Sequence, residues 1–209
     1  MSAGERAVAH ALIPLKDPAE AKTRLRGALS HDARERLVAT KLAHVCRCLL
    51  GSPRILAVHV LTRERKWVPE GCAFLDDAGR ELNAAVACAA SELARSGVRE
   101  LLVLPCDLPL IEPDDIEALL ARPPGRSVIA ARDWTGRGTN ALFWSLDAPL
   151  SPRFGADSLA AHRHAAQSEG REFVIIDRAR LAFDVDEPEQ LPTLLREARE
   201  QYAFLEHLP

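Results

Sequence analysis

The chain has 209 residues and a formal net charge of −3, with 47% hydrophobic and 27% charged residues. This balance excludes a globally basic surface for nucleic acid, and no run of about 18 apolar residues is present to span a membrane. Residues 1–6 are polar and charged and lack the apolar core of a secretory signal, so we expect a cytoplasmic protein. The five cysteines are scattered, which favours free thiols over a disulfide framework.

The first half of the chain alternates apolar runs with helical patterns. Strands are predicted at residues 8–13, 55–61, 72–75 and 101–104. A helix capped by Ser30 and stopped by Gly51 follows the first strand, and a second helix ends near Arg95. The loop at 15–29 is rich in cations: Lys16, Lys22, Arg24 and Arg26. Its composition favours an anion-facing loop and a solvated loop about equally.

The second half continues the alternation. Its predicted elements are a short helix at 113–120, a strand at 127–131, an apolar run at 141–144, a helix at 158–170, strands at 173–176 and 181–183, and a final helix at about 189–205. This alternation predicts an α/β fold, a three-layer α/β/α sandwich with a mostly parallel central sheet. No internal repeat or composition break divides the sequence, so a single domain over residues 1–209 is predicted.

Three aspartates stand where metals and anionic ligands bind in such folds. Asp107 follows the apolar run Leu101–Leu104, at the carboxyl end of a predicted strand, which is the ligand-binding edge of an open α/β sheet. Asp184 and Asp186 follow the predicted strand at 181–183, and residues two apart in extended backbone share a face. Carboxylates suit Mg²⁺, so the three predict a divalent-metal cradle if the fold brings them together. A turn or cap role for each is the alternative.

Two glycine-containing segments are candidates for binding an anion. Gly136–Asn140 offers backbone N–H groups, a hydroxyl and an amide, and Phe154–Ser158 precedes a helix N-terminus. A hairpin turn and a plain N-cap are the competing interpretations. Phosphate-binding P-loops, dinucleotide fingerprints and nucleophile elbows are absent from the sequence, and the histidines show no zinc spacing. Metal-assisted phosphoryl or nucleotidyl transfer is therefore favoured over covalent catalysis.

Seven short motifs occur in order between about Ala9 and Leu195. They are Leu12–Lys16, Ala21–Leu25, Asp77–Asn83, Pro105–Leu110, Gly138–Leu142, Phe154–His162 and Asp184–Pro188. Together they resemble the CofC/FbiD guanylyltransferases of deazaflavin coenzyme F-420 biosynthesis. The resemblance implies a nucleotidyltransferase fold. It also implies an enzyme that joins GTP to a three-carbon phospho-acid (2-phospho-L-lactate, phosphoenolpyruvate or 3-phospho-D-glycerate) and releases pyrophosphate.

The resemblance implies roles for individual residues as well. It makes Asp107, Asp184 and Asp186 ligands of Mg²⁺, with Asp107, Lys16 and Lys22 as catalytic residues. It implies nucleotide binding by Pro14, Leu15, Lys16, Lys22, Arg24, Asn83 and Pro105, and phospho-acid binding by Thr139, Asn140, Gly155 and Ser158. Cys106 and Arg137 depart from the family pattern, and Arg137 adds a cation that leaves the choice of acid open. No nucleic acid or membrane partner is expected, and a homodimer stays open.

Three other interpretations compete with this one. A guanylyltransferase for molybdenum cofactor or a sugar-phosphate shares the fold, but such enzymes usually open with a glycine-rich loop where this chain has Pro14, Leu15 and Lys16. A haloacid-dehalogenase-type phosphatase would use Phe183–Asp186 as its nucleophile motif, but Pro188 stands where that motif needs Thr or Val. A nucleotide-binding module without chemistry would not need all three aspartates.

Overall fold

The computed structural model describes residues 8–17, 23–121, 123–148 and 150–206. Within them, one sheet contains seven strands: β1 (Ala9–Pro14), β2 (Ile55–Thr62), β3 (Ala73–Asp76), β4 (Glu100–Val103), β5 (Ser127–Arg132), β6 (Thr139–Ser145) and β7 (Glu172–Ile175). Their order across the sheet is β3-β2-β1-β4-β6-β5-β7. Strand β6 runs antiparallel to both of its neighbours, whereas the other pairings are parallel. The prediction of a mostly parallel sheet is confirmed.

Helices cover both faces of this sheet. They are α1 (His31–Leu50), α2 (Leu82–Arg95), α3 (Pro113–Leu119), α4 (Ser158–Ser168), α5 (Ala179–Ala182), α6 (Leu191–Glu197) and α7 (Arg199–Tyr202). One core cluster packs α1 and α3 against the sheet, and a second packs α2 and α4 against the opposite face. The predicted three-layer sandwich is therefore confirmed. In the described part of the chain, no helix is both long and apolar enough to cross a membrane.

The sheet places the ends of β1, β4 and β6 at one edge. Strands β1 and β4 are parallel neighbours, so the segments that follow Pro14 and Val103 leave the sheet side by side. Strand β6 is antiparallel to β4, with Leu142 opposite Val103, so its first residue, Thr139, lies at the same edge. Asp107 follows β4 in this region. The pairing of these three strands therefore determines where the candidate ligand-binding groups collect.

The predicted strand at 181–183 is wrong. Leu181 lies in the helical turn α5, and no described strand pairs with this segment. Leu181 packs into the core beneath α1, whereas Phe183 packs against a third cluster that includes Leu25 and Leu37. A helical turn distributes these apolar side chains between two cores, and a three-residue apolar run cannot distinguish that arrangement from a strand.

The final helix predicted at 189–205 is also not continuous. It consists of a 3-10 turn at Pro188–Gln190, the helices α6 and α7, and a second 3-10 turn at Ala203–Leu205. Ala198 interrupts it with φ −139° and ψ 44°, outside the helical region. The break lets Leu194 and Tyr202 both reach the third core cluster, where each is fully buried.

Candidate active site

A cleft of about 670 Å³ opens at the sheet edge where β1 and β4 end. That volume lies in the range of ligand-binding cavities. Among the predicted site residues, those that line it are Pro14, Leu15, Lys16, Arg24, Pro105, Asp107 and Asp186. The fold therefore brings to one cavity residues that are far apart in the sequence, from Pro14 to Asp186.

A buried lysine holds Asp107 at the floor of the cleft. The ammonium group of Lys41 has no exposed surface, and its Nζ donates to Asp107 Oδ1 at 3.0 Å. The same Nζ donates to the backbone carbonyl of Val185 at 3.3 Å. Since Val185 stands between Asp184 and Asp186, one ammonium group links the carboxylate after β4 to the 184–186 segment.

The 184–186 segment is fixed from both sides. The Val185 side chain is fully buried in the third core cluster, whereas Asp184 and Asp186 are only partly buried. The side-chain carbonyl of Gln190 accepts the backbone N–H groups of Asp186 at 2.6 Å and Glu187 at 2.8 Å. The segment follows α5 and not a strand, so the expectation that the two aspartates follow a strand is wrong.

The donor chemistry of the cleft suits a hard cation, but a ready-made three-carboxylate cradle is not found. Asp107 and Asp186 both line the cleft, whereas Asp184 is not part of its lining. Among the residues that the structure describes, no group of three His, Cys, Asp or Glu side chains could hold a metal ion. Mg²⁺ is commonly held by one or two carboxylates plus substrate phosphates, so the residues present fit that mode of binding.

Cations stand around the cleft, although the composition of the loop alone left an anion-facing and a solvated loop equally open. Lys16 is exposed at its rim, and Arg24 donates to Glu187 at 2.7 Å with both side chains exposed to solvent. Lys22 lies outside the described residues. Sequence reasoning missed Arg63 and Arg80, which also line the cleft. Arg63 follows β2 and Arg80 stands within the Asp77–Asn83 motif, but sequence reasoning gave neither of them a role.

A tight turn brings Arg63 and Arg80 to the cleft. Asp77 Oδ1 accepts the backbone N–H of Gly79 at 2.7 Å, and the Arg63 Nε lies 3.9 Å from the same oxygen. Gly79 has φ +68°, and a Cβ atom at this position would lie 3.2 Å from Arg63 Nη2. The positive φ favours glycine, whereas the contact with Arg63 would need only a small shift of an exposed side chain.

The predicted acid-binding residues form a second group at the same edge. Thr139, Asn140 and Ser158 are buried, and Gly155 adopts φ +129°, a conformation that favours glycine. The Asn140 side chain donates to the Leu181 carbonyl at 3.0 Å, which ties β6 to α5. Asn140 is therefore engaged with the backbone, whereas Ser158 is the first residue of α4 and Thr139 is the first residue of β6.

Two side chains hold the loop that carries Gly155. The Asn83 amide donates to the Phe154 carbonyl at 2.9 Å and accepts the Phe154 N–H at 2.7 Å. His162 Nε2 accepts the Arg153 N–H at 2.8 Å, while its Nδ1 lies 3.0 Å from Thr139 Oγ1. Asn83 was predicted to line the nucleotide pocket, but its neighbours Leu82 and Ala85 line the cleft instead. Sequence reasoning treated His162 as structural and missed its contact with Thr139.

The comparison with known families decides between the remaining interpretations. A family model described as "Guanylyl transferase CofC like" matches residues 9–208. The chain belongs to the CofC-like guanylyl transferase family. The resemblance stated from the sequence motifs is thereby confirmed, and the phosphatase alternative is removed.

Individual relatives agree with this assignment. The phosphoenolpyruvate guanylyltransferase of Rubrobacter xylanophilus is 34% identical over 198 residues, which cover 92% of this chain and 96% of the relative. The 3-phospho-D-glycerate guanylyltransferase of Phenylobacterium zucineum is 29% identical over 199 residues and covers 90% of each chain. A Desulfovibrio desulfuricans G20 crystal structure, provisionally described as a nucleotide-diphospho-sugar transferase, superimposes with a TM-score of 0.73 over 95% of this chain and 98% of that one. At 14% identity, this last similarity shows the fold alone.

Proposed function

We propose that this CofC-like guanylyl transferase joins GTP to phosphoenolpyruvate and releases pyrophosphate, as a step of coenzyme F-420 biosynthesis. The observation that carries the proposal is the arrangement at one sheet edge. A cleft with Asp107, Asp186 and several cations lies beside a second group with the Thr139 and Ser158 hydroxyls. Such a pair of adjoining sites suits a nucleoside triphosphate on one side and a small phosphorylated acid on the other.

The reaction needs positioning and charge neutralisation more than a base. An oxygen of the acid's phosphate is already ionised, so it can attack the α-phosphorus of GTP while the bond to the bridging oxygen of pyrophosphate breaks. Lys16, Arg63 and Arg80 line the cleft, and in this proposal they bind the triphosphate and offset the charge that develops on the departing pyrophosphate. Lys41 keeps the Asp107 carboxylate in one orientation at the cleft floor.

Asp107 and Asp186 are the residues that would hold Mg²⁺ within this cleft, with Asp184 close by in sequence. When bound, the ion would neutralise phosphate charge. The fit rests on the carboxylates of the cleft, which are ligands of the kind that Mg²⁺ prefers. Removal of divalent ions with EDTA is expected to abolish turnover, and added MgCl₂ is expected to restore it.

Phosphoenolpyruvate is the acid that the relatives favour. The relative named for phosphoenolpyruvate is the more similar of the two, at 34% against 29% identity. Within the second group, Arg137 donates to Asp157 through Nε at 2.7 Å and Nη2 at 3.1 Å, and this contact lowers the pKa of the Asp157 carboxyl. Since all three acids carry a carboxylate as well as a phosphate, this guanidinium does not distinguish between them, and the preference for phosphoenolpyruvate rests on the relatives.

The test offers the protein each of four nucleoside triphosphates with each of the three phospho-acids in the presence of MgCl₂. We expect pyrophosphate release and a product mass that corresponds to GMP joined to phosphoenolpyruvate. Activity with 3-phospho-D-glycerate in its place would transfer the proposal to that acid. Release with another nucleotide, or with no phospho-acid, would contradict it.

Asp107→Asn provides the variant for this assay. It keeps the side-chain shape but loses the negative charge, so turnover is expected to fall by about 100-fold or more. Asp147→Asn is the matched control, because Asp147 is exposed and pairs with Arg99 away from the cleft. It is expected to retain wild-type turnover. Near-normal turnover by Asp107→Asn would remove Asp107 from the reaction.

A further inference from the structure

His162 lies between the two parts of the proposed acid site and has no exposed surface. It belongs to the second turn of α4, four residues after Ser158. On one side its ring contacts Thr139 at the start of β6, and on the other it contacts the backbone of Arg153. The Phe154 ring meets the imidazole edge to face, with 4.9 Å between ring centroids. The side chain is therefore shielded from any ligand and can act only through its neighbours.

The position of the ring proton follows from these contacts. A backbone N–H can donate but never accept, so the Arg153 amide, 2.8 Å away, requires a lone pair on His162 Nε2. The proton of the neutral ring is then on Nδ1, 3.0 Å from Thr139 Oγ1, so the hydroxyl can accept from this nitrogen but cannot donate to it. In a protonated ring, Nε2–H would face the Arg153 N–H, so two donors would stand opposite each other. Burial lowers the pKa of His162 to about 4, although a hydrogen bond with the Ser158 backbone acts in the opposite direction.

The fixed ring determines what the Thr139 hydroxyl can offer. An oxygen that faces Nδ1–H directs its own proton away from the ring, so the hydroxyl keeps a proton that it can donate to another acceptor. An anionic phosphate or carboxylate has only acceptors, so a donor is what an acid-binding site needs. In the opposite tautomer, Nδ1 would have a lone pair and the Thr139 hydroxyl would donate its proton to it. The hydroxyl oxygen would then offer only lone pairs to the acid.

We infer that His162 is a positioning residue of the phospho-acid site, whose Nδ1–H tautomer sets the Thr139 hydroxyl as a donor and holds the Arg153–Gly155 loop beside it. The inference deepens the proposed function and rests on it, because the acid is the ligand that the hydroxyl serves. The sequence motif that contains His162 implies no role for this residue in the reaction. The geometry gives it one without any contact to substrate.

Two substitutions of similar polarity separate its two contacts. In His162→Asn the amide nitrogen lies as many bonds from Cβ as Nδ1 does, so it can still donate to Thr139. In His162→Gln the amide carbonyl instead takes the place of Nε2, so the Arg153 contact survives and the donation to Thr139 is lost. We expect His162→Gln to raise the KM for phosphoenolpyruvate by about tenfold or more, with the KM for GTP within about twofold of wild type. We expect His162→Asn to lie closer to wild type.

His164→Asn is the matched control, since His164 is an exposed histidine on the same helix. It is expected to leave both KM values unchanged. An unchanged KM for phosphoenolpyruvate in His162→Gln, in an enzyme whose wild type is active, would overturn the inference and leave the proposed function intact. An equal rise in both KM values would also overturn it, because a purely structural role predicts that result.

The ring itself can be observed in the unaltered protein. In ¹⁵N-labelled wild type at pH 7, the His162 signals are expected to show a neutral imidazole that carries its proton on Nδ1. An Nε2–H tautomer or a charged ring would overturn the inference even if both substitutions failed to fold. A wild type that releases no pyrophosphate with any phospho-acid would overturn both the inference and the proposed function.

Discussion

Lys41 is a charged residue on the apolar face of α1, one turn from Val38 and one turn from Val45. Moving an ammonium group out of water costs several kcal/mol unless hydrogen bonds and an opposite charge compensate it. The Asp107 carboxylate and the Val185 carbonyl provide that compensation. A charged residue in a helical apolar stripe was the signal in the sequence that could have revealed Lys41.

We predict that Lys41 and Asp107 are energetically coupled. Lys41→Met leaves the carboxylate without this partner in a site where only 28% of the side chain is exposed, so the free energy of unfolding is expected to fall by about 3 kcal/mol. The double variant Lys41→Met/Asp107→Asn removes both charges and is expected to be more stable than the sum of the single effects by about 1 kcal/mol or more. Urea unfolding of the four proteins measures this, and strictly additive losses would contradict it.

Sequence analysis could predict only those site residues whose position depends on their neighbours in the chain. Asp107 follows an apolar run, Pro105 and Cys106, so its neighbours alone predict it at the ligand-binding edge. Lys16 follows β1, but the composition of its loop was equally compatible with a solvated loop. Lys41 could not be assigned to Asp107 in the same way, because 66 positions separate them. The contact depends on how α1 packs against the sheet and on where the 184–186 segment crosses, and neither is set by residues nearby.

At the scale of elements, the loop before α4 is held by helices on both sides. Asn83 at the start of α2 binds the Phe154 backbone through both atoms of its amide, and His162 of α4 binds the next residue toward the N-terminus. The loop therefore depends on two helices that are distant in sequence. The family resemblance implies that Asn83 binds the nucleotide, whereas in the structure Asn83 contacts the loop of the proposed acid site.

A kinetic test separates these two roles of Asn83. Asn83→Ala removes both contacts to Phe154, so the KM for phosphoenolpyruvate is expected to rise by about tenfold while the KM for GTP stays within about twofold. Ser91→Ala on the exposed face of the same helix is the control and is expected to change neither value. A rise confined to the KM for GTP would instead support the nucleotide role that the family resemblance implies.

Short apolar runs explain where the prediction of elements failed. Strands such as 55–61 are long enough, and bounded clearly enough, to be predicted correctly. The run at 181–183 is too short to show a period, and its conformation is set by the two separate cores that receive Leu181 and Phe183. Likewise, the helical period at 189–205 gives no sign of the break at Ala198, which depends on how Leu194 and Tyr202 reach one cluster.

For the whole molecule, the class of fold followed from alternation, but the topology did not. The order of strands and helices predicted three layers and a mostly parallel sheet, because parallel neighbours need crossover helices. The antiparallel insertion of β6 between β4 and β5 is a matter of strand pairing across the sheet. That insertion brings Thr139 beside the cleft. The strand pairing that places the two proposed sites next to each other was therefore not predictable from the sequence.

Buried neutral histidines make the stability of the whole molecule sensitive to acid. Burial lowers the pKa of His59 to about 4, and the neighbouring His10 acts in the same direction. His162 has a pKa of about 4 for the reason of burial as well. An unfolded chain binds these protons near pH 6.5 and the folded chain does not. The contribution of these neutral histidines to the free energy of unfolding is therefore fully present above about pH 6.5 and is lost as the pH falls toward 4.

We predict that His59→Leu makes the pH dependence of stability less steep. Between pH 7 and pH 5.5, the wild type is expected to lose about 1 kcal/mol more of its free energy of unfolding than the variant, because the variant has no proton to gain at this position. His164→Leu is the control: this side chain is exposed, so its pH dependence should follow that of wild type. Urea titrations at both pH values measure the difference. Parallel losses in wild type and His59→Leu would show that His59 titrates alike in folded and unfolded chains, which its burial and its 2.9 Å contact with His10 argue against.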